Sequence, residues 1–583
     1  MRVLLLHSDD DFPAASRVQH WDLVVDLGRA PKFCYQQVSL ALRCPVFSIF
    51  DLAVEVGDLQ DWRALLNQGL GRVVDRYGID WWDVISLMLQ PEMQDVRLAV
   101  RLAESLKGCR ELSVSRPSVI AEAVRMHLGI PLRVLQSRTG ATLHNVRRRG
   151  RVLTNLSFVQ LRQVVYDKYD PHYRWRKKLV GSPGRLSGSD PVVLLPTAYS
   201  NVTKTALGYA RILPEQKFFL VVARESAAVD SLPENVETAR LASFATRGCD
   251  RTQLDQLEDN WKSLEQQLKE FPEFKLSVQL GILGKGPRWL RWGVTVRDAW
   301  RQVFETRSVI GCLSADDSNP YTRIPLLLAE QRGIPAVACH HGALDCRMAL
   351  KNLRFSSYLA KGDMERDYLE RVCAVDVERM KIGAPQSAQS QGVAWSDDAP
   401  WITFFSEPYE TEFWRAEMIY REILPRLCAA ARRSGKIVAL KLHPFESARQ
   451  RRKMVAGILS EDDRKLVSVT DAPMSREVLS KTSCAVTVES TAAFECAAVG
   501  IPAFLCGWLR QSYSGYIPQY VRFGVGRMLE SADQLSQIPE MMRADTSIPG
   551  TIRQQAKPIL PNELSAILCG GPLTDKVSRE SFR

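Results

Sequence analysis

The sequence predicts an α/β protein in which two Rossmann-like lobes follow an extra N-terminal α/β domain. One observation is the stretch from Lys436 to Trp508, where the apolar runs Ile437–Leu442, Leu466–Val469, Ala485–Val488 and Pro502–Leu505 alternate with helix-length segments. Short, unbroken apolar runs suit strands covered on both faces, as in a parallel sheet. A second observation is that the same alternation restarts at Pro191 and also precedes residue 150. A third is length, because 583 residues exceed what one hydrophobic core supports.

In chain order, Val3–Leu6, Leu23–Leu27 and Cys44–Ile49 read as strands of the first unit. Asp61 to Tyr77 and Trp82 to Leu106 carry helical apolar spacing. Glu111–Val114 is a strand, Pro117 to Leu128 a helix and Pro131–Leu135 a further strand. His7, Asp9, Asp10, Asp11, His20 and Asp26 offer polar groups there, for which solvated loops are the simpler reading. Two basic clusters follow, Arg147–Arg151 and Tyr173–Lys178, and then a Gly-, Ser- and Pro-rich linker, Gly181–Pro191. Domain limits are expected at 1–180, 190–390 and 400–560, with a tail at 561–583.

The middle lobe opens with strands Pro191–Pro196 and Lys217–Arg224 and a charged helix over 252–270. Gly284-Lys285-Gly286 lacks the spacing and the hydroxyl residue of a phosphate loop. Trp289 and Trp292 beside three cations suit either a membrane interface or a loop packed on the core. Ser308–Ser314 is a strand ending at Asp316 and Asp317, and Ile334–Cys339 a strand ending at His340, His341 and Gly342. Carboxylates and imidazoles therefore reach one rim. Ser357–Gly362 and Met380–Pro385 finish the lobe, and Gln386–Pro400 reads as a hinge. Trp401–Phe405 opens the last lobe and is followed by Ser406 and Glu407.

Ligands of open α/β sheets bind beyond the carboxyl ends of the strands. In the last lobe those ends carry Lys441, His443 and Pro444 on one strand and Glu489, Ser490 and Thr491 on another. Unpaired amides at a helix start attract phosphate, and Ala492 and Ala493 leave room for one. Glu495, a turn after Thr491, suits ribose hydroxyls. Together these residues read as a nucleotide cradle. Taken singly, Ser490-Thr491 is also an ordinary helix cap and His443-Pro444 an ordinary strand end.

Lys441-Leu442-His443-Pro444, Glu489-Ser490-Thr491 and Gly500-Ile501-Pro502 resemble the donor lobe of bacterial glycosyltransferases of the GT-B arrangement. The likeness spans roughly residues 300 to 510. It points to capsule and lipopolysaccharide enzymes that use CMP-activated acidic sugars (sialyl- and Kdo-transferases), and the CDP-glycerol glycerophosphotransferases look similar. The resemblance implies a nucleotide-sugar donor held by Lys441, His443, Ser490, Thr491, Glu495, Ser406 and Glu407 on the last lobe. The acceptor would lie on the middle lobe, with His341 as base and Asp316 and Asp317 in reserve. His341-Gly342 continues as Ala343-Leu344-Asp345, where the glycerophosphotransferases have threonine and proline. No Asp-x-Asp motif stands among metal ligands at a strand end, so no metal and no cofactor beyond the donor is expected.

Composition sets the outer limits. A content of 45% hydrophobic and 25% charged residues describes an ordinary globular chain. No apolar run approaches the ~18 residues of a membrane span, and the opening Met1–His7 reads as a strand. Thirteen cysteines without a C-x-x-C pair indicate neither zinc nor a disulfide framework, which suits a reducing cytoplasm. The net charge of +11 calls for an anionic partner. No nucleic-acid-binding motif is present, so nucleotide phosphates and an anionic inner-membrane surface are the expected partners. The competing functions are a polyol-phosphate transferase using CDP-glycerol, a nucleotide-sugar epimerase or hydrolase, and a non-catalytic scaffold that binds glycan or lipid.

Overall fold

In this computed structural model, residues 1–7, 20–27, 33–49, 52, 73–115, 117–135, 188–224, 227, 229, 231–245, 251–342, 356–373, 375–385, 393–409, 416–509, 516–544 and 558–570 are described. They form three sheets, and every strand pairing within these sheets is parallel. The first contains β1 (Arg2–Leu6), β2 (Leu23–Asp26), β3 (Val46–Ser48), β4 (Glu111–Val114) and β5 (Leu132–Val134) in the order 3-2-1-4-5. The second contains β6 (Gly188–Thr197), β7 (Phe218–Val222), β8 (Val236–Arg240), β9 (Arg307–Ser314), β10 (Ala336–Ala338), β11 (Ser357–Ala360) and β12 (Met380–Ile382). Its order is 8-7-6-9-10-11-12. The third contains β13 (Trp401–Phe405), β14 (Ile437–Lys441), β15 (Val467–Thr470), β16 (Thr482–Thr487), β17 (Ala503–Cys506) and β18 (Arg527–Leu529), ordered 15-14-13-16-17-18. Each sheet therefore winds outward from its first strand and then reverses, as a Rossmann sheet does. The reversals fall between β1 and β4, β6 and β9, and β13 and β16.

The strands form here because their residues are buried on both faces. Thr482–Thr487 is buried at all six positions, and Ala503–Cys506 at all four. The edge strand β8, Val-Glu-Thr-Ala-Arg, has three exposed residues. The charged helix Arg251–Leu268 is not a purely solvated element. Leu254, Leu257, Trp261, Leu264 and Leu268 recur at helical spacing and are buried against the helix Gly286–Thr306. Trp289 and Trp292 belong to that second helix, half-buried, with ring centroids 5.3 Å apart and Trp292 edge-on to Tyr321 at 5.2 Å. They pack on the core, the second of their two readings, although from a helix rather than a loop. The basic clusters Arg147–Arg151 and Arg174–Lys178 lie outside the described residues. Among the described residues, no helix is long and apolar enough to cross a membrane.

One apolar core joins the first sheet to one face of the second. At that junction Arg297 is fully buried and donates to Asp75 at 2.6 Å and to Gln253 at 3.0 Å. Asp75 also accepts from the Tyr77 and Ile79 amides and the Trp81 indole. The other face of the second sheet is covered by the helices Ser200–Ala210 and Pro561–Cys569. This last helix falls in the stretch that reads as a tail, yet Leu564 and Leu568 are fully buried. It comes so close that a methyl on Gly311 would lie 2.1 Å from the Leu568 carbonyl oxygen. The chain thus leaves the third sheet and returns to the second.

Direct contacts hold the second and third sheets together. Met364, after β11, is buried in the cluster of Phe405, Ala492 and Leu505. Arg522 pairs with both oxygens of Asp367 at 2.9 Å, and the Gln519 side chain donates to the Met364 carbonyl. The carboxyl ends of the two sheets consequently face one cleft.

Removing one partner of a buried ion pair strands the other charge and costs ~3–5 kcal/mol. Arg297→Ala, which leaves Asp75 without its guanidinium, should therefore lower the denaturant midpoint by a loss in that range. An unchanged midpoint would show that the junction does not depend on this pair.

Candidate functional site

The rim formed by the third sheet is built around a loop whose sequence fixes its own shape. After β14, His443-Pro444-Phe445-Glu446 turns so that the Glu446 carboxylate accepts from the His443 amide at 2.8 Å. Its other oxygen takes the Arg451 guanidinium at 2.8 Å and the Ser406 hydroxyl at 2.9 Å, with Tyr420 at 3.4 Å. Glu446 and Arg451 are both essentially without exposure. Ser406 spends its hydroxyl inside this network, bonded to Tyr420 as well, and is 3% exposed. It supports the loop rather than offering a donor contact, which corrects its assignment.

The loop presents His443 in a defined state. The Phe445 amide donates to Nδ1 at 3.2 Å, so Nδ1 is the acceptor and Nε2 carries the proton of the neutral ring. Burial, and then the neighbouring Lys441 charge, hold its pKa down to about 4. His443 is therefore a neutral N–H donor at physiological pH. Lys441 is 6% exposed and donates to the Leu442 carbonyl at 2.6 Å. Burial lowers its pKa, opposed by the carboxylates of Glu446, Asp471 and Glu495.

Across the reversal between β13 and β16, Glu407 accepts from the Glu489 amide at 2.7 Å and the Thr487 hydroxyl at 3.3 Å. Ser490 accepts the Ala492 amide at 3.2 Å through its own hydroxyl, and its carbonyl takes the Ala493 amide. The Phe494 and Glu495 amides go to the Thr491 carbonyl. These amides of the helix Ala492–Ala498 are already satisfied, so the phosphate cradle expected from unpaired amides is corrected here. Side chains remain: His443, Lys441 and the hydroxyl of half-buried Thr491. Glu495 lies at the cleft, where desolvation raises its pKa and the charges of Lys361, Lys441 and Lys204 oppose that shift.

The opposite rim carries His340, His341 and Gly342 at the end of β10. His341 is half-buried, stacked between His340 at 4.7 Å and the edge of Tyr199 at 5.5 Å. Lys361 donates to the carbonyls of His340 and Gly342 and pairs with Glu365 at 2.9 Å, which holds this turn in place. A methyl on Gly342 would lie 3.9 Å from the Thr491 methyl, so the two rims meet.

Asp316 and Asp317 do not belong to that rim chemically. Asp316 is buried and receives the Tyr199 hydroxyl, the Asn319 amide group at 2.8 Å and the Ser318 amide at 2.8 Å. Burial and the Asp316 carboxylate raise the Tyr199 pKa, so Tyr199 stays a donor. Asp317 is 1% exposed and paired with buried Arg323 at 3.1 Å. A base must touch the hydroxyl it deprotonates, and both carboxylates are enclosed. Their reserve role is corrected to that of shaping the β6–β9 reversal. Tyr199, Lys361 and Glu446 are the participants not singled out from sequence. Only the spacing of Glu446, three residues after His443 and five before Arg451, signals such a loop. Among the described residues, no group of three or more metal-ligating side chains converges.

No family model and no curated protein matches this sequence. Among solved structures, the chain is similar to the calicheamicin glycosyltransferase CalG4, at 13% identity and TM-score 0.39, over 65% of this chain and 95% of that one. It is similar to UDP-GlcNAc 2-epimerase from Methanocaldococcus jannaschii, at 10% identity and TM-score 0.41, over 65% and 99%. It is also similar to the wall teichoic acid polymerase TagF, at 11% identity and TM-score 0.35, over 70% and 92%. TM-scores below 0.5 assign neither a family nor an activity.

The neutral state of His443 has a signature. An unfolded histidine binds its proton near pH 6.5 and the folded ring only near 4. The folded state is therefore favoured above pH 6.5 and loses that contribution as pH falls toward 4. Histidine-selective NMR should place this ring's midpoint near 4, and a midpoint near 6.5 would remove the neutral-donor assignment.

Proposed function

We propose that this chain is a metal-independent glycosyltransferase. It would move a sugar from a nucleotide-activated donor, CMP-sugar by preference, to a surface polysaccharide or lipid-linked glycan. The observation that carries the reading is the meeting of two unlike rims. On the last lobe His443 offers a neutral N–H beside the Lys441 cation, and across the cleft His341 precedes Gly342, where an added methyl would lie 3.9 Å from the Thr491 methyl. One side is chemically suited to a phosphate and the other to a hydroxyl.

In this reading Lys441 and the His443 Nε2–H hold the departing nucleotide phosphate as charge builds on it. Thr491 adds its hydroxyl, and Glu495 contacts the nucleoside. His341 removes the acceptor hydroxyl proton as the new carbon–oxygen bond forms and the sugar–phosphate bond breaks. Tyr199 and Lys361 keep the imidazole and its turn in position. The excess of cations in the chain suits a nucleotide donor and an acceptor anchored at an anionic membrane surface.

The two histidines should fail differently. A hydrogen bond to a charged group contributes ~1.5–3 kcal/mol, so His443→Ala should weaken nucleotide binding by about ten- to a hundredfold. General-base catalysis contributes ~10²–10⁴-fold. His341→Ala should lose that much turnover while binding CMP, CDP, UDP or GDP as the parent does. Calorimetry with the four nucleotides, beside turnover on a donor and acceptor panel, checks both. Parent-like affinity in His443→Ala would place the nucleotide elsewhere, and donor consumed equally well without acceptor would exclude transfer.

A further inference from the structure

The reversal between β13 and β16 holds a carboxyl group that the mechanism above leaves unused. Glu407 leaves the carboxyl end of β13, and its Oε1 is fixed by the Glu489 amide at 2.7 Å and the Thr487 hydroxyl at 3.3 Å. Both donors belong to the β16 end, so this oxygen bridges the point where the sheet changes direction. Among the described residues, Oε2 takes no hydrogen bond, and it is not a sealed, orphaned atom. It is thus open to a ligand at the place where an open α/β sheet binds one.

The charges acting most strongly on Glu407 are acidic. Glu489 lies beside the β16 end and Glu446 comes from the loop after β14. Tyr409 on its own segment and Cys506 at the end of β17 are the other titratable groups that sense it. An ionised carboxylate here would repel a phosphate as well as its two neighbours. A protonated one would donate to that phosphate.

We propose that Glu407 serves the donor-phosphate site as a carboxylic acid, with Oε1 fixed on the β16 end and Oε2–H donating to a phosphate oxygen. This rests on the donor assignment made above and adds its protonation chemistry. Burial first, and then Glu489, push the Glu407 pKa up to about 8, with the Glu489 amide bond opposing. The group is therefore mostly protonated at neutral pH without a ligand. Above pH 8 the phosphate can enter only with a proton, so affinity should fall by about tenfold per pH unit. Lys441, whose pKa burial lowers, would weaken binding in the same direction when it loses its charge. Variants separate the two.

The test is calorimetry of CMP between pH 7 and 9.5, where its phosphate stays a dianion because the second pKa is about 6. Two buffers of different protonation enthalpy report protons taken up, and CDP, UDP or GDP replaces CMP if one binds tighter. The parent should take up nearly one proton per nucleotide at pH 9 and weaken about tenfold per unit above pH 8. Glu407→Gln, which keeps the shape and supplies an N–H donor, should bind with a flat profile and without that uptake. Absence of uptake in the parent, or a parent-like profile in Glu407→Gln, overturns the proposal. If Glu407→Gln does not fold, Lys441→Met decides, since uptake persisting there supports Glu407 and uptake lost there assigns the proton to the lysine. Failure of all four nucleotides to bind the parent removes the donor site itself, which is distinguishable from binding without proton uptake.

Discussion

The third-sheet side of the cleft depends on one buried carboxylate. Glu446 has no exposure worth the name, yet it joins Arg451, Ser406, Tyr420 and the His443 amide in one network. An internal charge is tolerated only when paired and fully hydrogen-bonded, and here that requirement dictates the path of the loop. With the His443 backbone fixed and Nδ1 taken by Phe445, the ring has a single way to offer a donor. Sequence, loop shape, tautomer and proposed chemistry are linked through this carboxylate. A site assembled on a sheet edge and an internal ion pair is also stiff, which suits the phosphate contact proposed for this ring.

The same economy appears at each reversal of strand order. In the first sheet the His7 amide donates to the Ser115 hydroxyl at 3.3 Å. In the second, Tyr199 donates to Asp316, and in the third the Glu489 amide donates to Glu407. Parallel sheets leave a crevice at these points because neighbouring connections depart to opposite faces. A polar bridge across the crevice satisfies groups that would otherwise be stranded and sets how deep the site is. The second and third sheets turn their bridged edges toward each other, held by Met364, Asp367 and Arg522.

Much of the architecture was legible because burial on both faces of a parallel strand leaves an unbroken apolar run. Trp401–Phe405 and Glu111–Val114 are recovered at their predicted limits for that reason. The edge strand β8 was not legible, since Val-Glu-Thr-Ala-Arg buries only Val236 and has no apolar run to show. The helix Pro561–Cys569 was missed because its partner, the second sheet, lies hundreds of residues earlier. The candidate site was legible by position and less so by role. His443 and Lys441 stand at a strand end where they were placed, whereas Ser406, Asp316 and Asp317 turned inward. A strand end says which residues reach an edge, while the direction of a polar side chain depends on partners such as Arg323 and Tyr420. Those partners lie on other elements and leave no local trace.

The most direct test of the account is a crystal structure of the protein with a bound nucleotide. The account predicts phosphate oxygens about 3 Å from His443 Nε2, in the cleft between Thr491 and the Gly342 turn, with His341 facing the space beyond. A nucleotide bound instead at the β1–β4 edge of the first sheet, with the His443 ring untouched, would contradict it.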